Sequence, residues 1–390
     1  MQPLSDIRVI EFCQVAAGPY AGMLLADLGA DVIKVEPRQG DSMRAWPPLT
    51  DGFSENFASL NRNKRSVVLD LKSDSGAETA RKLISGADVV IENNRPGVMA
   101  RLGLSYEDAK ALQPKLVYCA ISAFGQSGPR ATDGGFDVTV QAASGIMSVT
   151  GEEDGEPVKA GVPVSDFCAG LYAAYAIAAL LKRVADGGPG GFVDMSMLGA
   201  SLGIAALQTS EFFGTDSNPR KLGSAHPRNA PYQAFRARDT HFVLAAGNDK
   251  LWASVCDVID RPELTEHPDY LTTTARARNQ TQLKALMEEI FAHEDAAVWI
   301  HRLRERGVPC EPINAYREAL QDPQVAHSGW VTDLTLPSGA VTQTFGFPAL
   351  INGQNAPIYR APPTLGEHTE EVLQELTSGD VTKAQQPASP

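Results

Sequence analysis

One carboxylate stands where it could act as a nucleophile. Asp166 lies in Gly161-Val162-Pro163-Val164-Ser165-Asp166-Phe167-Cys168-Ala169-Gly170, at the head of an Ala- and Leu-rich helix expected over Asp166 to Val184. Aspartate is a favoured N-cap, worth about 0.5–2 kcal/mol, so capping alone would explain it. The same position, walled by Val, Phe and small residues, would partly desolvate the carboxylate, and carboxylates do serve as nucleophiles in covalent catalysis. The residues leave both readings open. Two other segments carry polar chemistry. Asn61-Arg62-Asn63-Lys64-Arg65-Ser66 is a cationic turn entering a strand, either a solvated loop or a binding edge. Ile91-Glu92-Asn93-Asn94-Arg95-Pro96-Gly97 runs off a strand end, the side on which open parallel sheets bind ligands. Its amides and its Pro–Gly turn can meet an adenine or a phosphate, or simply reverse the chain.

Several familiar chemistries are absent. The turn after Phe12 reads Ala16-Ala17-Gly18-Pro19 where a dinucleotide fingerprint needs G-x-G-x-x-G. Glu36 ends the second strand as a ribose-binding acid would, but a single acid is weak support. The chain has no GxxxxGK[ST] run, no G-x-S-x-G elbow and no H-x-x-x-H pair. Five scattered cysteines without a CxxC pair fit reduced thiols in a cytoplasm, with no metal site.

The elements that must position these residues alternate. Strand Ile7 to Phe12, helix Tyr20 to Leu28 and strand Asp31 to Glu36 make one βαβ unit. Strand Ser66 to Leu71, helix Ser75 to Ile84 and strand Asp88 to Glu92 repeat the rhythm, and Leu116 to Ser122 adds a strand. This alternation implies an α/β fold with a parallel sheet covered on both faces. After the long apolar helix come the breaker Gly187-Gly188-Pro189-Gly190-Gly191 and a strand, Phe192 to Ser196. A polar stretch near Gly214 to Asn229 marks a boundary. The expected organisation is a large domain over 1–214, a small α+β domain over 215–325, a return to the large domain over 326–376, and a frayed tail over 377–390. The 390 residues carry Lys+Arg 34 against Asp+Glu 47, a net charge of −13, which disfavours nucleic acid and membrane surfaces. The longest charge-free apolar stretch, Phe167 to Leu181, falls short of the ~20 residues of a membrane span, so a cytoplasmic protein is expected.

Together these segments resemble something specific. VAAGPYAGMLLADLGADVIKVEP, NRNKRSVVLDLK, VVIENNRPGVMARLGL, SAFGQSGP, GFDVTVQAASGIMSVTGEEDGEPVKAGVPVSDFCAG and RAPPTLGEHTEEVL are similar, in order and spacing, to the family III CoA-transferases. The resemblance implies a Rossmann-like large domain built from both chain ends, a smaller domain between them, and an interlocked homodimer. It implies that Asp166 is the catalytic carboxylate, carrying CoA as an aspartyl thioester, with no metal and no permanently bound cofactor. Coenzyme A and acyl-CoA are substrates in this reading. Arg38, Asn93 and Arg101 are implied as CoA-binding residues, and Ala16-Ala17-Gly18 and Gly223-Ser224-Ala225 as sources of backbone donors. Trp46, Arg44, His226 and Arg228 are candidates for the side of the second carboxylate. Formyl-CoA transferase carries a glycine run where Gly223-Ser224-Ala225-His226 stands, and a Gln where Ala16 stands, which sets this chain apart from formyl and oxalyl transfer.

The expected reaction moves CoA from succinyl-CoA to a C4–C6 dicarboxylate such as itaconate, citramalate or glutarate. Two alternatives stay open. An α-methylacyl-CoA racemase needs a His–Asp pair, and its Gly-His-Asp motif reads Gly135-Phe136-Asp137 here, with His226 as a possible substitute. A catalytically idle acyl-CoA-binding protein would have no use for the carboxylate that Asp166 retains.

Overall fold

The computed structural model describes residues 2–378. The chain divides into two compact units. One takes the chain up to Ile146, Lys159–Asp216 and the chain from Pro323 on; the other takes Met147–Val158 and Ser217–Asp322. The segment 147–158 thus groups with the small unit, although it sits inside the stretch expected in the large one.

The first unit is organised by a six-stranded, all-parallel sheet. Its strands are β1 Arg8–Phe12, β2 Asp31–Glu36, β3 Lys64–Val68, β4 Val89–Glu92, β5 Val117–Ser122 and β6 Gly191–Ser196, in spatial order β3-β2-β1-β4-β5-β6. Strand order reverses between β1 and β4. In doubly wound sheets that reversal opens a crevice at the carboxyl ends of the two strands, where ligands bind. The strands read as apolar runs because both faces are covered. Val9 and Val32 join one core with helices α1 (Ala17–Asp27), α4 (Val164–Ala185) and α5 (Met197–Ile204). Ile10 and Ile33, one residue along, join the opposite core with α2 (Asp74–Ser85). Local signals set the ends: Ser73 caps α2 by accepting the Gly76 N–H, and Gly29, at φ 104°, turns the chain out of α1. A third helix, α3 (Asp137–Ala143), lies between β5 and α4 in sequence.

Helix α4 is long and apolar enough to cross a membrane by length and composition. Ala169, Ala173, Ile177 and Leu181 on one side are core residues of the first unit, while Leu171, Tyr172 and Tyr175 stay exposed. Beyond α5, α6 (Ala206–Thr215) is a further helix whose Leu207 and Phe213 are exposed.

The second unit holds a three-stranded antiparallel sheet, Tyr232–Arg236, His241–Ala245 and Cys310–Pro312, packed on helices that include Asp249–Val258, Gln280–Phe291 and Ala296–Glu305. Back in the first unit, Val331–Thr335 and Val341–Phe345 form a hairpin, and Thr369–Ser378 is a helix. Thr377 and Ser378, expected in a frayed tail, close that helix; the rest of the tail, 379–390, lies outside the described residues.

Candidate active site

The crevice at the sheet's switch point is a cavity of about 290 Å³. The turn after β1 supplies Gln14, Val15, Ala16 and Ala17, and the loop after β4 supplies Asn93 and Arg95. Asp166 enters from α4, and Asp133, Gly135 and Phe136 close another side. Phe136 is 75% exposed, so an aromatic face stands open at the rim.

Asp166 is not a helix cap. The helix begins at Val164, Pro163 holds the cap position with no side-chain bond, and Asp166 is the third helical residue. The cap expected of it is made from elsewhere: Asp137 Oδ1 accepts the Ser165 N–H at 2.9 Å. Asp137 Oδ2 accepts Gln141 Nε2 at 2.7 Å, and Gln141 Oε1 accepts the Ala160 N–H at 2.9 Å. Gln141 is fully buried, so this relay braces both ends of the 160–165 approach to Asp166. Gln141 thereby gains a role that its place in the sequence left open.

Packing sets the remaining coordinate. A Cβ on Gly170 would stand 2.7 Å from the Ala17 carbonyl oxygen and 2.9 Å from the Tyr20 ring, so α4 lies directly on the first turn of α1. Tyr20 and Phe167 meet edge to face at 4.8 Å. Asp166 stands one helical turn before Gly170, and so lies beside the amino end of α1. Helix amino ends carry unpaired N–H groups and a partial positive charge.

The electrostatics suit a nucleophile. Among the described residues the Asp166 carboxylate has no hydrogen-bond partner, and it is half-buried. Burial, followed by the charge of Asp137, pushes its pKa up to about 6. It is therefore ionised at neutral pH yet more basic than an exposed aspartate, which sharpens it as a nucleophile.

A groove of about 580 Å³ adjoins this cavity, sharing Gln14 and Asn94 with it. Arg38 and Lys72, from two loops, and Arg101, from the end of the short helix Val98–Arg101, line it. The structure thus brings Arg38 and Arg101 to one groove, and adds Lys72, which sequence reasoning passed over. Arg95 and Asp137 were passed over too, although the NNRPG turn and the Gly135-Phe136-Asp137 segment had been singled out.

Other expected residues have different duties. Asn93 lines the cavity, but its amide clasps the backbone of Gln14, accepting its N–H at 2.9 Å and donating to its carbonyl at 2.8 Å. Arg44 makes a bidentate pair with Glu36, at 2.8 and 2.6 Å, donates to the Pro363 carbonyl and stacks on Phe57. It lines a separate cavity of about 210 Å³, not the one that holds Asp166. Trp46 lines neither the cavity nor the groove and is 44% exposed.

Gly223 and His226 belong to the second unit. The Gly223 N–H donates to the Gly151 carbonyl and that of Ala225 to Leu222, so these two amides are already spent and do not serve as oxyanion donors. His226 Nδ1 accepts the N–H groups of Arg228 and Asn229 at 3.1 and 3.0 Å. That pattern puts the ring proton on Nε2, and burial with the Arg228 charge lowers the pKa. With Nδ1 occupied and Nε2 protonated, the ring has no lone pair with which to act as a base.

Comparison with known proteins bears on this geometry. The family model for CoA-transferase family III matches residues 4–369. A succinate–glutarate CoA-transferase of Agrobacterium fabrum is 39% identical, over 96% of this chain and 96% of its own. A succinyl-CoA:glutarate CoA-transferase of Homo sapiens is 35% identical, over 97% of this chain and 87% of its own. The crystal structure of a CAIB/BAIF family protein from Brucella suis superposes with a TM-score of 0.85 at 36% identity, covering 96% of this chain and 99% of that one.

Proposed function

The chain belongs to CoA-transferase family III, and from that premise we propose that it moves CoA from succinyl-CoA to a short dicarboxylate, glutarate foremost, through covalent adducts on Asp166. One observation carries the reading: a half-buried carboxylate, unpartnered among the described residues, lies against a helix amino end in a cavity at the sheet's switch point.

The steps balance without proton transfer. An Asp166 oxygen attacks the succinyl thioester carbonyl, the C–S bond breaks, and CoA leaves as thiolate. The mixed anhydride is attacked by that thiolate at the aspartyl carbonyl. Succinate departs as carboxylate, leaving an aspartyl-CoA thioester. The acceptor carboxylate then attacks the aspartyl carbonyl and expels the thiolate, which attacks the acceptor carbonyl of the second anhydride. The new acyl-CoA forms and Asp166 returns as carboxylate. Each acyl transfer passes through a tetrahedral species with negative charge on the former carbonyl oxygen, and the N–H groups of Ala16 and Ala17, at the amino end of α1, are the donors that would meet it.

The groove suits the rest of CoA. Arg38, Lys72 and Arg101 offer cations to the phosphates, and a guanidinium's fork matches them geometrically. Arg95, in the cavity with Asp166, can hold either pantetheine or a distal carboxylate. Racemisation fits less well, because Phe136 cannot take a proton and His226 is committed through Nδ1.

The strand order supports a Rossmann-like large domain, and the reading includes an interlocked homodimer in the cytoplasm. Support for the dimer is the row of exposed apolar side chains on α4, α5 and α6, including Leu171, Tyr175, Leu202, Leu207 and Phe213. Light scattering that returns a monomer at micromolar concentration would overturn that part.

The test is to incubate the protein with succinyl-CoA and a panel of carboxylic acids. Acyl-CoA products from glutarate and its C4–C6 neighbours, lost in Asp166→Ala, are expected. Transfer only to monocarboxylic or bulky acceptors would sink the assignment, and so would undiminished transfer by Asp166→Ala.

A further inference from the structure

The turn between β1 and α1 holds an unfavourable shape. Val15 has φ 65°, in the left-handed region that a β-branched side chain strongly avoids. Such a conformation persists only where the surroundings over-determine it, and it gathers at functional sites. Here three side chains from other segments grip three successive residues. Lys34 Nζ donates to the Cys13 carbonyl at 2.8 Å. Asn93 clasps both backbone groups of Gln14. Asp41 accepts the Val15 N–H with both carboxylate oxygens, at 3.2 and 3.1 Å.

Two of these grips are one device. Lys34 and Asp41 form an ion pair at 3.0 Å with both side chains fully buried. Glu11 holds Lys34 from the far side at 3.1 Å, and Glu36 fixes Asp41 through its backbone N–H at 3.0 Å. Buried ion pairs are poor stabilisers, since desolvation offsets the attraction, and apolar replacements of equal volume often do as well. Their recognised use is to specify one arrangement among several. The arrangement specified here is that of Gln14, Val15, Ala16 and Ala17, all of which line the Asp166 cavity. Lys34 and Asp41 line neither the cavity nor the groove, so they cannot act by touching substrate.

We infer that Lys34, Asp41 and Asn93 are positioning residues of the transfer reaction, holding the strained 13–15 turn so that the first N–H groups of α1 meet the reacting carbonyl. The inference rests on Asp166 as the nucleophile. An amide donor misplaced by about 1 Å loses much of its effect on the transition state, whereas binding of a long CoA chain elsewhere is little changed.

Asp41→Asn keeps the size of the side chain and removes the charge that pairs with Lys34. The measurement is kcat per competent site, with sites counted by mass spectrometry as Asp166 hydroxamate after prolonged incubation with succinyl-CoA and hydroxylamine. We expect kcat per labelled site to fall at least about tenfold while KM for succinyl-CoA stays within about twofold. Asn93→Ala leaves the buried pair intact and should give the same kcat-led loss, which keeps the inference testable if Asp41→Asn does not fold. Labelled Asp41→Asn sites turning over at the wild-type rate, with only the melting temperature or labelled fraction reduced, would overturn it. A KM-led loss in Asn93→Ala would do the same, making Asn93 a plain CoA ligand. Wild-type protein that cannot be labelled would sink the Asp166 reading and this inference with it.

Discussion

Asp137 holds the Ser165 N–H at 2.9 Å, and so fixes a second carboxylate beside Asp166, the next residue along. The arrangement orients the proposed nucleophile and opposes its charge at the same time. Repulsion raises the ionised ground state, while the anhydride and thioester of Asp166 are neutral and escape it. Part of what Asp137 costs the resting enzyme is therefore returned as the adduct forms.

Replacing that charge should move the pH profile. Asp166 must be ionised to attack, so kcat/KM for succinyl-CoA should rise with pH through about 6 and then level. Asp137→Asn keeps an oxygen for the Ser165 N–H, gives up the bond accepted from Gln141 Nε2 and removes the repulsion, so the acid limb should move to lower pH. Burial is the larger cause of the raised pKa and the charge the smaller, so the limb should stay above the ordinary aspartate range. Asp133 and Arg95, in the same cavity, are untouched by the substitution. A limb that stays in place or moves upward would show that Asp137 acts by position alone.

The same raised pKa predicts a stability cost. A carboxyl whose folded pKa exceeds its unfolded value favours folding when protonated, and its ionisation opposes folding at higher pH. Asp166→Asn should therefore abolish transfer yet melt higher than wild type above pH 6, by the equivalent of about 1–2 kcal/mol after allowing for its partial exposure. The gain should shrink as pH falls from 6 towards 4, as the folded carboxyl takes up its proton ahead of the unfolded one, and it vanishes only below the unfolded value of 3.8, where both states are neutral. Thermal unfolding at pH 8 and at pH 4.5 measures both ends of that window. Equal melting temperatures at pH 8 would contradict the assigned burial.

Binding and chemistry should separate at the groove. Arg38→Ala and Arg101→Ala remove cations on the groove side, outside the Asp166 cavity. Each should raise KM for succinyl-CoA by about five- to tenfold with kcat nearly unchanged, and the penalty should narrow as salt is added. A fall in kcat with KM unchanged would remove these residues from phosphate binding. Steady-state kinetics at two ionic strengths decides the matter.

Much of the sheet was legible because parallel strands buried on both faces carry unbroken apolar runs. Asp31–Glu36 was read to the residue between Ala30 and Pro37. Strand β3 was read two residues late, as Ser66 onward, because Lys64 and Arg65 look like loop. Both are fully buried, and their partners Glu11 and Asp31 come from other strands. Pairings across such separations leave no local pattern. The cap on α4 misled for the same reason: Asp166 has the right residue type, but Asp137 does the work from 28 residues away. The nucleophilic role proposed for Asp166 comes from the family resemblance alone, since composition favoured the cap. Gly223 shows the opposite failure, where a permissive residue suggested a free amide that the Gly151 carbonyl already holds.

The contact that places Asp166 against α1 should tolerate no added carbon. In Gly170→Ala the new Cβ would meet the Ala17 carbonyl oxygen at 2.7 Å and the Tyr20 ring at 2.9 Å. The oxygen is backbone and cannot swing aside, so α4 must move from α1. Overpacking of this kind costs about 1–3 kcal/mol, enough to lower the melting temperature measurably. The consequence for catalysis should be larger than for stability. The shift opens the gap between the Asp166 carboxylate and the first-turn N–H groups, while the groove lined by Arg38, Lys72 and Arg101 lies on other segments. At a temperature where the variant remains folded by circular dichroism, kcat should fall about tenfold or more with KM for succinyl-CoA little changed. Gly203→Ala is the control, because the atoms nearest its Cβ would be the Tyr172 hydroxyl and ring, at 3.2 Å or more, and that side chain can give way. If both variants lose activity in proportion to their loss of stability, the α1–α4 contact supports the fold without setting the reaction geometry.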